Sequence, residues 1–169
     1  MRLFVTGIPG SGKTTLAGRV AKRAGLTFLS AHDLVERVDP AAIGEGRMAE
    51  EGGMRAAFVE LMGEYRDGFV MDGWPRNPGQ AALLPEGAIV IHLRCTHDTA
   101  RDRLGRRGRV DDTPELIDQR LREQEEVFNG DWIRALAPWA RTLNTSKRTA
   151  ADVERTVMLY LNGERREVF

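Results

Sequence analysis

Residues 7–15 read GIPGSGKTT, directly behind the short apolar run Leu3-Phe4-Val5. Gly7, four residues, then Gly12, Lys13 and Thr14 give the spacing G-x-x-x-x-G-K-[ST]. Gly7, Gly10 and Gly12 admit backbone conformations closed to other residues, so the N–H groups along the loop, through Ser11 to Thr15, can turn inward around phosphate oxygens. A helix leaving the loop adds the positive end of its dipole. In such a loop Lys13 would bridge the β- and γ-phosphates, and the Thr14 hydroxyl would coordinate Mg²⁺. The competing reading is a glycine turn that only joins strand to helix. The complete pattern, with a strand before it and a helix after it, favours phosphate. A loop of this kind serves kinases, switches and motors alike.

Outward from the loop, short apolar runs alternate with longer amphipathic stretches, the pattern of a parallel α/β sheet. The expected strands are 3–6, 27–30, 68–72, 88–93 and 141–144. One expected helix leaves the glycine loop with Leu16, Val20 and Ala24 on one face. A second, over about 114–128, repeats Leu116, Ile117, Leu121 and Val127 near helical period, and a third starts after Thr149 as N-cap. Residues 39–53 (DPAAIGEGRMAEEGG) and 105–113 (GRRGRVDDT) fit the alternation poorly and read as excursions from the sheet edge. The acidic AEEGG before Met54 reads as solvated surface.

At 169 residues the chain has the length of one domain. Its formal net charge is zero, which argues against a nonspecific nucleic-acid coat protein while leaving room for a local basic patch. Cys95 is the only cysteine, so neither an internal disulfide nor a cysteine-based zinc site is expected, and a reducing cytoplasm is the expected home. No apolar stretch approaches a membrane span, and Gly7, Pro9 and Gly10 cut the first apolar run too short for a secretory signal. Strand alternation sends His92 and Cys95 to opposite faces, which reads as structure rather than a metal site.

A second motif, GFVMDGWPR at 68–76, ends an apolar strand on a carboxylate. In open α/β sheets ligands bind at the C-terminal ends of the strands. Asp72 would hold Mg²⁺ there, through a water because that ion dehydrates reluctantly. Gly73 allows close approach to the backbone, and Arg76 offers a planar fork for a second phosphate.

These two motifs resemble those of the adenylate kinase family of nucleoside monophosphate kinases. The loop is similar to that family's GxPGSGKGT, and DGWPR to its DGFPR. The similarity continues through DRLGRRGR at 102–109 and DDTPELIDQRL after it, which resemble the family's lid and the helix leaving it. LNTSK at 143–147 resembles the loop where the family's backbone meets adenine. The resemblance implies a single P-loop kinase domain over 1–169, with an acceptor-binding insertion at 31–66 and a short arginine-rich lid at 103–113. It also implies a three-layer α/β/α fold whose five parallel strands run in the order 2-3-1-4-5. ATP and Mg²⁺ are the implied cofactors, and nucleotides the implied substrates.

The same resemblance assigns lid roles to Arg103, Arg109 and Arg120, with Arg103 stacked on adenine, Lys147 beside the donor nucleotide, and Arg106 or Arg107 as a further phosphate contact. Mobile guanidinium groups closing on a transferring phosphoryl would stabilise its charge and exclude water. Competing readings of the cluster are a solvated helix face, neutralised by Asp102, Asp111 and Asp112, and a polynucleotide backbone contact. Gln80, four residues after Arg76, matches a family position that reads the acceptor's base. LSAHDLVER at 29–37 departs from the family's STGDxLR: Ala31 stands at the threonine position, His32 at the glycine and Glu36 at the arginine. Arg37, a candidate acceptor contact, comes one residue late, a rotation of about 100° on a helix.

Asp33 fits two acceptors. In the family it supports the metal and water network; it could equally take a proton from an acceptor hydroxyl. The expected function is transfer of the γ-phosphoryl of ATP to a nucleoside or deoxynucleoside monophosphate, with Lys13, Arg103, Arg109 and Arg120 stabilising the moving charge and Arg76 gripping the acceptor phosphate. The alternatives are a kinase of hydroxyl groups, on a small metabolite or a hydroxymethylated base in DNA, and an ATP-binding switch. Nucleic acid is a partner only under the first alternative, no membrane is implied, and a monomer suffices.

Overall fold

In a computed structural model, five parallel strands pair in the order β2-β3-β1-β4-β5, as the resemblance implies. The structure describes residues 1–45, 49–108, 113–128 and 140–164. Arg109, Asp111 and Asp112 lie outside the described residues. The strands are β1 (Arg2–Gly7), β2 (Thr27–Ser30), β3 (Phe69–Asp72), β4 (Ile89–Arg94) and β5 (Ala140–Asn144), each within two residues of its expected bounds. β1 pairs with β3 and β4, so Val5 lies beside Asp72 and Gly7 beside Leu93.

The central strands bury both faces, which explains why their sequences are continuous apolar runs instead of alternating ones. On one face Leu3, Val5, Val70, Ile91 and Leu93 pack with helices α1 (Lys13–Ala24) and α8 (Ala150–Leu161). On the other, Phe4, Phe69, Met71 and Val90 meet the helices that fill the gap between β2 and β3: α2 (Ala31–Val38), α3 (Pro40–Glu45) and α4 (Glu51–Glu64). Beyond β3 come the short α5 (Pro78–Ala81), then α6 (His97–Arg107) and α7 (Pro114–Phe128) around β4. Ile8, Ala100, Leu104, Ile117, Leu121 and Phe128 form a third cluster under the glycine loop. Among the described residues no helix is long and apolar enough to cross a membrane.

Three expectations need correction. Ala24 is exposed, because α1 ends there: Gly25 turns left-handed at φ 65°, Leu26 N–H donates to the Ala21 carbonyl, and Leu26 continues the apolar stripe. The buried face of α1 is Leu16, Ala17, Val20 and Ala21. Leu116 is exposed, while Ile117, Leu121 and Phe128 carry the core face of α7. The excursions are also shorter than their glycines suggest. Residues 40–45 and 51–53 are helical, and α6 continues through Gly105 to Arg107 before Gly108 ends it at φ 66°.

Candidate active site

The glycine loop turns sharply between β1 and α1, with Gly7, Gly10 and Gly12 at φ of 136°, 74° and 98°. A side chain on Gly7 would meet the Leu93 carbonyl at 2.1 Å, and one on Gly10 the Ala100 backbone at 2.7 Å. The loop therefore lies directly on β4 and α6. Ser11 N–H donates to the Ile8 carbonyl and Leu16 N–H to the Gly12 carbonyl, at 3.2 and 3.0 Å. The buried Ser11 hydroxyl has no hydrogen-bond partner among the described residues, and Thr15 is exposed one turn into α1.

Lys13 donates from Nζ to the Ile8 carbonyl at 2.9 Å, closing the loop on itself. Burial lowers its pKa to about 8; Asp72 and Cys95 act to raise it, Arg76 and Arg107 to lower it. Those residues are thus close enough to sense one charge, although they come from β3, the turn after it, the end of β4 and α6. Thr14 donates from Oγ1 to Asp72 Oδ2 at 2.6 Å. Asp72 is buried, and its second oxygen, Oδ1, has no partner among the described residues.

That orphaned oxygen tests whether a divalent cation fits. A carboxylate at a strand end, a threonine hydroxyl beside it and nucleotide phosphates make an all-oxygen set of the kind Mg²⁺ prefers. No group of three His, Cys, Asp or Glu residues able to hold a metal exists among the described residues, so phosphate oxygens and waters would complete the shell.

Past β3 the chain turns at Gly73, φ 79°, where an added Cβ would lie 3.3 Å from the Arg76 guanidinium. Arg76 donates from Nε to the Gly73 carbonyl at 2.9 Å, and its backbone N–H donates to Gln80 Oε1 at 2.8 Å. Burial pushes the Arg76 guanidinium below its ordinary pKa while Asp72 opposes the shift. Gln80 is buried, and with Val35, Ala49, Glu51, Met54, Trp74 and Arg76 it lines a pocket between the insertion helices and the turn after β3.

A second pocket opens on the opposite side of the loop, lined by Gly12, Thr15, Arg103, Thr145, Arg148 and Val153 among others. Arg103 reaches it from α6, donating to the Gly10 carbonyl at 3.2 Å and to the Thr145 hydroxyl and carbonyl at 3.0 and 2.7 Å. Thr145 in turn donates to the Ser11 carbonyl at 2.9 Å. One buried threonine thus ties the loop after β5 to the glycine loop and to α6.

Lys13, Thr14, Asp72 and Arg76 therefore converge, with Gln80 beside Arg76 and Arg103 on the far side of the loop. Other candidates sit apart. Asp33 is exposed in the first turn of α2, and Arg37 pairs with Glu64 at 3.8 Å while Val35 faces the pocket. Lys147 is exposed, and its neighbour Arg148 lines the pocket that Gly12 and Arg103 share. Arg120 lies partly buried on α7. Arg101 bonds Asp118 at 2.7 Å and Arg106 bonds Asp102 at 3.0 Å, both toward solvent, whereas Arg107 is near enough to perturb Lys13. His92 is buried, stacks on Phe128 and is held down to about 4, chiefly by burial.

Sequence reasoning missed Thr145, Arg148, Glu50 and Glu51. Glu50, read as solvated surface, caps α4 by accepting from Gly52 and Gly53 N–H at 2.7 and 2.6 Å, and Glu51 lines the Arg76 pocket. The available signal was an acidic residue followed by glycines at the head of an apolar, helix-period run.

A family model described as AAA domain matches residues 3–129. The chain is 31% identical to an adenylate kinase of Stenotrophomonas maltophilia over 154 residues, 76% of this chain and 80% of that protein. It is 31% identical to an adenylate kinase of Micrococcus luteus, covering 75% and 76% of the two chains. It is 33% identical to one from Synechococcus, covering 71% and 76%. The phosphate loop, the carboxylate-ended strand beside it and these relatives agree: the chain belongs to the adenylate kinase family of P-loop kinases.

Proposed function

We propose that this ATP-dependent phosphotransferase passes the γ-phosphoryl of ATP to the phosphate of a nucleoside or deoxynucleoside monophosphate. The observation that carries the reading is the Thr14–Asp72 hydrogen bond that joins two separate motifs, with Lys13 next to Thr14 on one side and Arg76, folded back on Gly73, on the other. A donor phosphate on the glycine loop and an acceptor phosphate on Arg76 would then face each other across a shared carboxylate.

In the transfer, an oxygen of the acceptor phosphate attacks the γ-phosphorus in line. The bond to the β–γ bridging oxygen breaks, leaving a nucleoside diphosphate on each side. The acceptor phosphate is already ionised, so no general base is required. The loop amides and Lys13 hold the donor, Arg76 holds the attacking group, and Arg103 and Arg107 add positive charge from α6. Arg109 and Arg120 are proposed to join them as a lid over residues 103–113 and the helix that follows. Thr14 and Asp72 would hold Mg²⁺, which when bound neutralises charge on the phosphate oxygens.

A hydroxyl acceptor would need Asp33 as base. Asp33 is exposed and is not one of the residues that line the Arg76 pocket, which favours a phosphate acceptor. The test is transfer from labelled ATP to a panel of monophosphates, sugar alcohols and hydroxymethylated DNA, with Asp33→Asn alongside. Transfer to a monophosphate with a mild effect of Asp33→Asn is expected. Transfer only to a hydroxyl, abolished by Asp33→Asn with binding intact, would overturn the reading. So would ATP hydrolysis indifferent to every acceptor.

A further inference from the structure

We infer that Thr6 is a positioning residue for the transfer, its hydroxyl setting the turn that carries Arg76 against the root of the glycine loop; the inference rests on the acceptor reading above. Thr6 stands directly before Gly7 in β1 and has no exposed surface. Strand alternation places its side chain on the face of Phe4, where Trp74 and Phe58 also pack. A β-branched residue suits such a strand, and valine would supply the same shape with no polar atom to bury. Burying a hydroxyl is unfavourable unless it finds a partner. Here the partner is distant in sequence: Thr6 Oγ1 donates to the Pro75 carbonyl, 69 residues further along the chain.

That bond begins where the sheet's own bonding stops. The register of β1 with β3 ends at Val5 opposite Asp72, and Gly73 N–H then donates to the Val5 carbonyl at 2.8 Å. One residue later the Thr6 side chain takes over and reaches the turn. The peptide it holds is the one that joins Pro75 to Arg76. In a trans peptide the carbonyl and the N–H are coplanar and point opposite ways. Both ends are occupied: the carbonyl accepts from Thr6, and the Arg76 N–H donates to Gln80 Oε1 at 2.8 Å. A plane gripped at both edges cannot rotate, so the direction in which the Arg76 side chain departs is fixed.

The anchors differ in what they relate. Gln80 and the Gly73 carbonyl, which accepts from Arg76 Nε at 2.9 Å, lie within the same turn and α5, and would move with it. Thr6 belongs to the strand that becomes the glycine loop, and the next residue, Gly7, has no room to shift toward the Leu93 carbonyl. The Thr6 hydroxyl therefore links the segment that would hold the donor to the guanidinium that would hold the acceptor. In-line transfer is sensitive to that spacing, since a misplacement of about 1 Å arising away from the chemistry can cost on the order of 10²-fold. Buried as it is, Thr6 acts through Arg76.

The experiment compares wild type, Thr6→Val, Thr6→Ser, Arg76→Lys and the double variant Thr6→Val with Arg76→Lys, all in the intact chain. Melting temperature is measured, with kcat and KM for ATP and for whichever of AMP, GMP, CMP, UMP and dTMP the wild type uses best. Thr6→Val should lose about tenfold or more in kcat/KM for the acceptor while KM for ATP stays put. Thr6→Ser keeps the hydroxyl and gives up a methyl, so it should retain most of the acceptor kinetics although it packs less well than valine. A role in packing alone gives the opposite order. Because Thr6 works through Arg76, its loss in the Arg76→Lys background should be smaller than in the wild type. Wild-type acceptor kinetics in Thr6→Val overturn the inference alone. So does Thr6→Ser as impaired as Thr6→Val, or a Thr6→Val loss that is the same in both backgrounds. An unchanged acceptor KM in Arg76→Lys, or no transfer to any monophosphate, overturns the acceptor reading beneath it as well.

Discussion

Burial within its own loop holds the Lys13 ammonium down to about 8, against 10.5 for an ordinary lysine. Between those two pH values the unfolded chain keeps a proton that the folded chain has released, so folded stability rises as pH rises through that window. Phosphate binding runs the other way, because the neutral amine no longer offers a cation. Calorimetric titration with ATP should therefore weaken above about pH 8 while the free chain's melting temperature gains relative to Lys13→Met. Removing one donor of this kind typically slows transfer by about 10²–10³-fold, the loss expected in kcat of Lys13→Met. His92, held at about 4 against 6.5, has the same sign at lower pH. The unfolded chain takes up a proton that the buried ring resists, so stability should fall as pH drops from 6.5 toward 4. Melting curves of His92→Leu should lack that slope. The sequence marked Lys13 through its fixed place among glycines, whereas nothing in a bare string shows that His92 lies against Phe128, because 36 positions separate them.

At the scale of elements, the glycine loop, α6 and the segment after β5 behave as one joint. Gly10 touches the Ala100 backbone, Arg103 bonds the Gly10 carbonyl, and Thr145 bonds Arg103 and the Ser11 carbonyl. Thr145→Val should leave those groups short of a partner, at a cost of about 1–3 kcal/mol. The expected reading is a several-fold rise in KM for ATP, with KM for the acceptor little changed. Gly10→Ala combines strain at φ 74° with a clash against backbone, so its melting temperature should fall further than that of Thr145→Val. The motif at 7–15 was legible because phosphate binding demands a fixed spacing along one segment. The joint was not, since Thr145 and Arg148 earn their positions from a turn closed by Arg148 N–H on the Thr145 carbonyl. Arg148, rather than Lys147, lines the pocket that Gly12 and Arg103 share. Glu51 was hidden for a related reason: glycines at 52 and 53 suggested a loop, yet the Glu50 carboxylate satisfies their N–H groups and starts α4.

For the whole molecule, the strands and their parallel pattern followed from apolar runs, because a sheet buried on both faces leaves a plain hydrophobic record, while their order and layering followed from the family resemblance alone. What the record lacks is how the helices between β2 and β3 aim their side chains, which depends on packing around Phe58 and Trp74. If donor and acceptor share one cleft, a linked bisubstrate nucleotide should raise the melting temperature more than ATP alone. At a hundredfold excess over its Kd a ligand stabilises by about 2.7 kcal/mol. Arg76→Met should remove the extra gain and keep the ATP component; equal shifts for both ligands would contradict a shared cleft. Lys13 and Thr14 already hold protein oxygens, the Ile8 carbonyl and the Asp72 carboxylate. Any incoming guest must displace those residents first, so part of what a phosphate gains at Lys13 and Thr14 replaces bonds the loop had already made for itself.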